Sequence, residues 1–225
     1  RNEAFNHAGN ATAAILAGAT AYCFGPIVVF YVMSIFAVAS LISVMMIPAS
    51  SIDHDVARGL IDANESKHHP SAWSILLTNR PLLIFAISVT LFHFANAAML
   101  PLVGQKLSLQ NRELGTTYMS GCIVAAQLVM IPMAILVGAK ADQWGRKPIF
   151  LAGFLILPLR GFLYTLSDDA MWLIAVQALD GIGAGIFGAL FPLVVSDLTR
   201  GTGHFNVSQG AISTAIGIGG ALSTS

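Results

Sequence analysis

Lys, Arg, Asp and Glu are missing from four long stretches of this 225-residue chain: Ala4 to Ile52, Pro81 to Gln105, Gly115 to Ala139 and Gly201 to Ser225. A water-facing domain cannot be built from such stretches. Charged residues make up 10% of the chain, against about 25% in a soluble protein. So few charges would leave large apolar patches in water. A span of roughly 20 apolar residues crosses a ~30 Å hydrocarbon core. Lipid offers the backbone no hydrogen bonds, so such spans must be helices.

The first stretch is about two spans long. It divides best at Gly25-Pro26, where Gly permits a turn and Pro removes a donor. The pattern predicts helices over 8–24, 27–48, 81–104, 115–138, 148–166 and 170–195, with a seventh begun at 208. The fold class is thus all-α, a polytopic transmembrane bundle. Pro101 is expected to kink its helix. Ser50 to Asn79 is polar and reads as a linker with one short helix. Cys23 and Cys122 both fall in apolar segments and read as buried free thiols. The net charge is zero, so no nucleic-acid footprint is present.

Alternating the loops between two sides puts eight Lys and Arg on one side: Arg1, Arg58, Lys67, Arg80, Lys140, Arg146, Lys147 and Arg200. The other side has Lys106 and Arg112, and Arg160 lies within a span. The positive-inside rule places the first set, with the 49–80 and 139–147 loops, in the cytoplasm. A multi-pass plasma (inner) membrane protein is the expected setting.

Gly138 to Lys147 reads Gly-Ala-Lys-Ala-Asp-Gln-Trp-Gly-Arg-Lys. This short, charged, Gly-bounded turn between two spans resembles the loop signature of the major facilitator superfamily, roughly Gly-x-Leu-Ala-Asp-Arg-x-Gly-Arg-Lys. Gly138, Ala141, Asp142, Gly145, Arg146 and Lys147 match it, whereas Lys140 replaces an apolar residue and Gln143 a basic one. The loop lies two helices beyond a long cytoplasmic linker, so the chain would cover family helices five to ten and the start of eleven. Residues 1–48 would be the last two helices of the N-terminal half, 49–80 the central loop and 81–225 the C-terminal half. An internal echo agrees: Phe5-Asn6 and Phe205-Asn206 open helices that the family's symmetry makes counterparts. The chain begins and ends close to or inside helices, so an internal part of a longer protein is expected.

The resemblance implies secondary active transport of a small solute by alternating access, with proton coupling expected. Substrate and membrane lipid are the partners, the carrier is a monomer, and neither enzyme activity nor a cofactor is expected. The alternative is a non-transporting membrane sensor or scaffold on the same fold. In the family, Asp142 is thought to contact the start of a helix in the other half and hold one conformation. By symmetry its partner here would lie within Glu3 to Asn10. Arg146 and Lys147 can pair with Asp142 or with lipid headgroups, and Gly138 and Gly145 can supply the flexible backbone of the turn.

Ionisable groups inside a membrane are functional candidates. His93, Arg160 and Asp180 lie ~18, ~18 and ~15 Å from the ends of their spans, near the middle of the bilayer. Gln177, Asp180, Gly181 and Ala184 share one helix face. Asp180 takes part in proton coupling or binds a cationic group, or it forms a structural ion pair with Arg160. Thr90, His93 and Asn96 form a second stripe, suited to substrate hydrogen bonding or to helix–helix contact. Gly181-x-Gly183-x-Gly185 follows no strand and reads as close helix packing. Asp53, His54, Asp55, His68 and His69 read as solvated linker, and no metal site is expected. Gly25-Pro26 lacks the glycines of the Gly-Pro-x-x-Gly-Gly element that marks many proton-driven drug exporters.

Overall fold

A computed structural model describes residues 2–53 and 72–224. The described residues form ten α-helices and no strand. They are α1 Asn2–Phe24, α2 Val28–Met45, α3 Ala72–Thr78, α4 Arg80–Asn96, α5 Met99–Gln110, α6 Gly115–Trp144, α7 Arg146–Leu163, α8 Ala170–Ala178, α9 Asp180–Thr199 and α10 Phe205–Ser223. A 3-10 turn covers Ala49–Ser51. By length and composition four segments stand out as membrane-crossing: Val28–Met45, Arg80–Gln110, Gly115–Trp144 and Ala170–Thr199.

Turns form where backbone chemistry demands them. Gly25 adopts φ 87° between α1 and α2, at the predicted break. Asn79 caps α4 by accepting from the Leu82 N–H at 3.1 Å, and Pro81 follows at the helix start. Asp169 caps α8 by accepting from the Trp172 N–H at 2.9 Å. The helix from 115 runs past its expected end at 138 to Trp144. Ala139, Lys140, Ala141 and Gln143 are good helix formers, so Gly138 lies within the helix and does not make the turn. Gly145 alone reverses the chain, at φ 82° and ψ 151°. Only glycine tolerates that region, where other residues are strained by about 1–3 kcal/mol. Gly145→Ala should therefore lower stability by about that amount, read as an earlier midpoint in thermal unfolding of detergent-solubilised protein.

Two predicted helices are interrupted. The span expected over 81–104 becomes α4 and α5, broken at Ala97–Ala98. Pro101 has no N–H for the carbonyl four residues back, and its ring crowds that carbonyl. The disturbance thus falls at Ala97 rather than as a kink at Pro101. The Ala98 N–H donates instead to Ser223 Oγ at 3.1 Å. The span expected over 170–195 divides at Leu179 into α8 and α9. Helix α1 begins at Asn2 rather than at 8. Cys122 is buried as expected, whereas Cys23 is exposed. Residues 54–71 of the polar linker, with His54, Asp55, His68 and His69, lie outside the described residues.

The chain divides into two compact units. The first holds Arg1–Met45 and Met99–Leu190. In it α1 and α6 run antiparallel: His7 meets Gln127, and a Cβ at Gly18 would lie 2.8 Å from Ser120 Cβ. Its core includes Val103, Leu107, Cys122 and Leu173, with Tyr118, Tyr164 and Ile174 packed against them. Glycines let helices approach closely here. A Cβ at Gly153 would meet Ile186 at 3.2 Å, and one at Gly185 would meet Met133 Cβ at 2.8 Å. The second unit holds Met46–Ala98 and Phe191–Ser225. There α4 and α10 lie side by side: a Cβ at Gly219 would lie 2.8 Å from the Thr90 carbonyl oxygen, and Phe85 stacks on Phe191 at 6.0 Å. No residue of α2 is buried, and all but Val28, Val29 and Val32 are exposed, as lipid allows and water does not.

Candidate functional site

Three polar groupings are built into these apolar helices. The first joins α7 to the broken α8–α9 span. Arg160, 2% exposed, pairs through Nη1 with Asp180 Oδ1. Gln177 Nε2 donates to Asp180 Oδ2 at 3.2 Å, and the Tyr164 hydroxyl donates to Gln177 Oε1. The Arg160 guanidinium also stands 5.8 Å from the centre of the Tyr164 ring. Of the two roles open to Asp180, the structure thus builds the ion pair. A buried arginine cannot shed its charge, so the carboxylate beside it makes the burial tolerable. The i, i+3 link from Gln177 to Asp180 survives the helix break between them. Tyr164 is the member that sequence reasoning missed. Its position one turn after Arg160 is the signal that would have found it. A groove lined by Met99, Leu102, Val103, Lys106, Gly161, Tyr164 and Leu173 adjoins this grouping.

The second grouping belongs to the other unit. His93 Nδ1 lies 2.8 Å from the Val89 carbonyl of its own helix, and the ring meets Phe92 edge-on at 5.5 Å. Asn96 Oδ1 and Thr90 Oγ1 are buried without a hydrogen bond. His93 and Asn96 therefore lie in a different unit from Asp180, Gln177 and Arg160.

The third grouping is on α1 and was not foreseen. His7, 7% exposed, places Nδ1 2.9 Å from Gln127 Oε1. Its Nε2 lies 4.0 Å from Glu3 Oε2. Asn6 Nδ2 donates to Glu3 Oε2 at 3.4 Å. Residues 3–10 were expected at a cytoplasmic helix start, beside the 139–147 turn. His7 instead meets α6 at Gln127, ~26 Å along that helix from Trp144. One polar residue in the middle of a charge-free span was the available signal.

The 138–147 motif is the end of α6, the turn at Gly145 and the start of α7. Asp142 accepts from Arg146 Nη1 at 2.7 Å, and its side chain is 90% exposed. Its carboxylate is thus paired within its own motif rather than with the start of α1. The two residues that depart from the family pattern bond to each other, Lys140 Nζ donating to Gln143 Oε1 at 3.0 Å. Lys147 is exposed, and a Cβ at Gly138 would meet nothing within 4 Å. Among the described residues no group of three or more His, Cys, Asp or Glu is placed to hold a metal ion.

The family model described as Major Facilitator Superfamily matches residues 1–224. Two uncharacterized MFS-type transporters of Mycobacterium tuberculosis, from strains CDC 1551 / Oshkosh and ATCC 25618 / H37Rv, are each 62% identical over 224 residues. The alignments cover 99% of this chain and 54% of each relative, so the chain spans about half their length. Multidrug resistance protein 1 of Bacillus subtilis strain 168 is 27% identical over 159 residues, 66% of this chain and 37% of that protein. No solved structure matches the chain. A family match from end to end, on a bundle of apolar helices with buried polar side chains, makes this integral membrane chain a member of the major facilitator superfamily.

Proposed function

We propose that the protein carries a small solute across the membrane by alternating access, coupled to proton movement. The observation that carries this reading is the buried Arg160–Asp180–Gln177–Tyr164 grouping among apolar helices. Ionisable groups at membrane depth are costly, and substrate and proton pathways are among the reasons for keeping them. Gln177 and Asp180 in one unit, and His93 and Asn96 in the other, are the proposed solute-facing groups, with Arg160 as the counter-charge of Asp180. On this reading α1 and α2 are the fifth and sixth helices of the family and α10 is the eleventh. The 139–147 turn faces the cytoplasm of a plasma-membrane monomer. The relative named a multidrug resistance protein places drugs among the solutes to try, beside sugars and organic ions.

The test is proton movement in liposomes holding the full-length protein, with a pH dye inside and that solute panel outside. At least one solute should drive protons across. Asp142→Asn should slow that flux about tenfold, the scale of a lost conformational coupling, with the melting temperature unchanged because the side chain is exposed. Full flux in Asp142→Asn removes the latch. No flux from well-folded protein with any solute sinks the carrier reading in favour of a sensor or scaffold.

A further inference from the structure

In two of the three buried groupings the ionisable side chain faces a complementary partner: Arg160 has its carboxylate, and His93 has a carbonyl of its own helix. The grouping on α1 does not. Gln127 Oε1 is a carbonyl oxygen and only accepts, so His7 Nδ1 is the donor across their 2.9 Å contact. A neutral imidazole has one N–H, and that contact uses it. His7 Nε2 then turns a lone pair toward the Glu3 carboxylate 4.0 Å away and has no hydrogen bond of its own. Two acceptors facing each other on a buried ring is an unfavourable arrangement. One added proton on Nε2 makes it an attractive one.

We propose that His7 and Glu3, held in register by Gln127, form a proton-binding site between α1 and α6. The proton adds to His7 Nε2, from water and back to water, and no other bond forms or breaks. The Glu3 side chain is 39% exposed and accepts from Asn6 at 3.4 Å. Gly188 of α9 closes the site: a Cβ there would lie 3.2 Å from Glu3 Oε2 and 3.8 Å from His7 Nε2. No charged residue competes from the neighbouring helices. Helix α6 has none from Gly115 to Ala139, α9 none from Gly181 to Ser196, and α2 none at all. Their other titratable groups, Tyr118, Cys122 and Tyr31, are absent from the contacts of His7. Arg1 lies outside the described residues. The site lies ~18 Å along α6 from Gly115, within membrane depth. It supplies a seat for the proton in the coupled transport proposed above and rests on that reading only in this role.

Ring-nitrogen NMR of histidine-labelled full-length protein in nanodiscs tests the site, with His7→Gln identifying the signal. Nε2 should gain a proton on acidification, and Glu3→Gln should weaken its proton affinity about tenfold or more. Glu3→Asp keeps the charge and should fall between the two. Native affinity in Glu3→Gln overturns the proposal, as does a His7 ring that holds one charge state from about pH 5 to about pH 8, the range in which histidines switch. A titrating His7 in a protein that moves no protons in liposomes upholds the site and overturns the coupling, so the two readings fail separately.

Discussion

Replacing Asp180 by leucine should destabilise the protein by about 3–5 kcal/mol, the usual consequence of stranding one member of a buried pair. The geometry gives the reason. Arg160 is almost wholly enclosed and its charge is permanent. Without the carboxylate its Nη1 loses an ionic partner, and Gln177 Nε2 loses its acceptor. The second half of the prediction separates this from simple overpacking. Arg160→Met combined with Asp180→Leu should recover most of the loss, because an apolar pair of similar volume often matches a buried ion pair. Unfolding midpoints in an SDS titration of mixed micelles measure all four members of the cycle. A double variant destabilised by the sum of the two single losses would show that the two charges stabilise the fold independently of each other.

Gly181→Ala should have the next largest effect. A Cβ at this position would run into the Ala126 carbonyl oxygen and lie 2.6 Å from Val129 Cβ and 3.1 Å from the Met130 amide nitrogen. Two of those three obstacles are backbone and cannot rotate away, so α9 must move off α6. Overpacking costs about 1–3 kcal/mol, and this site belongs at the upper end. Gly138→Ala is the matched control. Nothing lies within 4 Å of its Cβ position and it sits in a helix interior, where alanine is better than glycine by roughly 0.5–1 kcal/mol. The same micelle titration should therefore move in opposite directions for the two substitutions. Equal destabilisation would mean that glycine is needed for flexibility along both helices, not for contact at one.

The contrast between these two glycines shows what could be read from the chain and what could not. Long charge-free stretches revealed the spans because lipid leaves the backbone no alternative to helix. Gly25-Pro26 marked a turn because its chemistry is local. Equal depths for Arg160 and Asp180 on successive spans made their pairing one of two open options. Other features depended on which helix lies beside which. Residues 7 and 127 meet only because α1 packs antiparallel to α6, and no pattern along the chain records that choice. Gly138 and Gly181 look alike as letters; only the neighbour facing each distinguishes a free position from a crowded one. The break at Ala97–Ala98 was displaced from Pro101 because a missing N–H acts on the carbonyl one turn earlier.

The buried pair also sets a condition on how this protein is made. Arg160 and Asp180 are 20 residues apart. At about 5–20 residues per second the ribosome delivers the second charge roughly 1–4 s after the first. A lone arginine or aspartate at the centre of a span opposes insertion by about 2.5–3.5 kcal/mol. The segment bearing Arg160 therefore has reason to wait at the translocon until Asp180 emerges. The two segments would then enter the bilayer as a neutralised hairpin, which makes their order of synthesis part of what allows the fold to form.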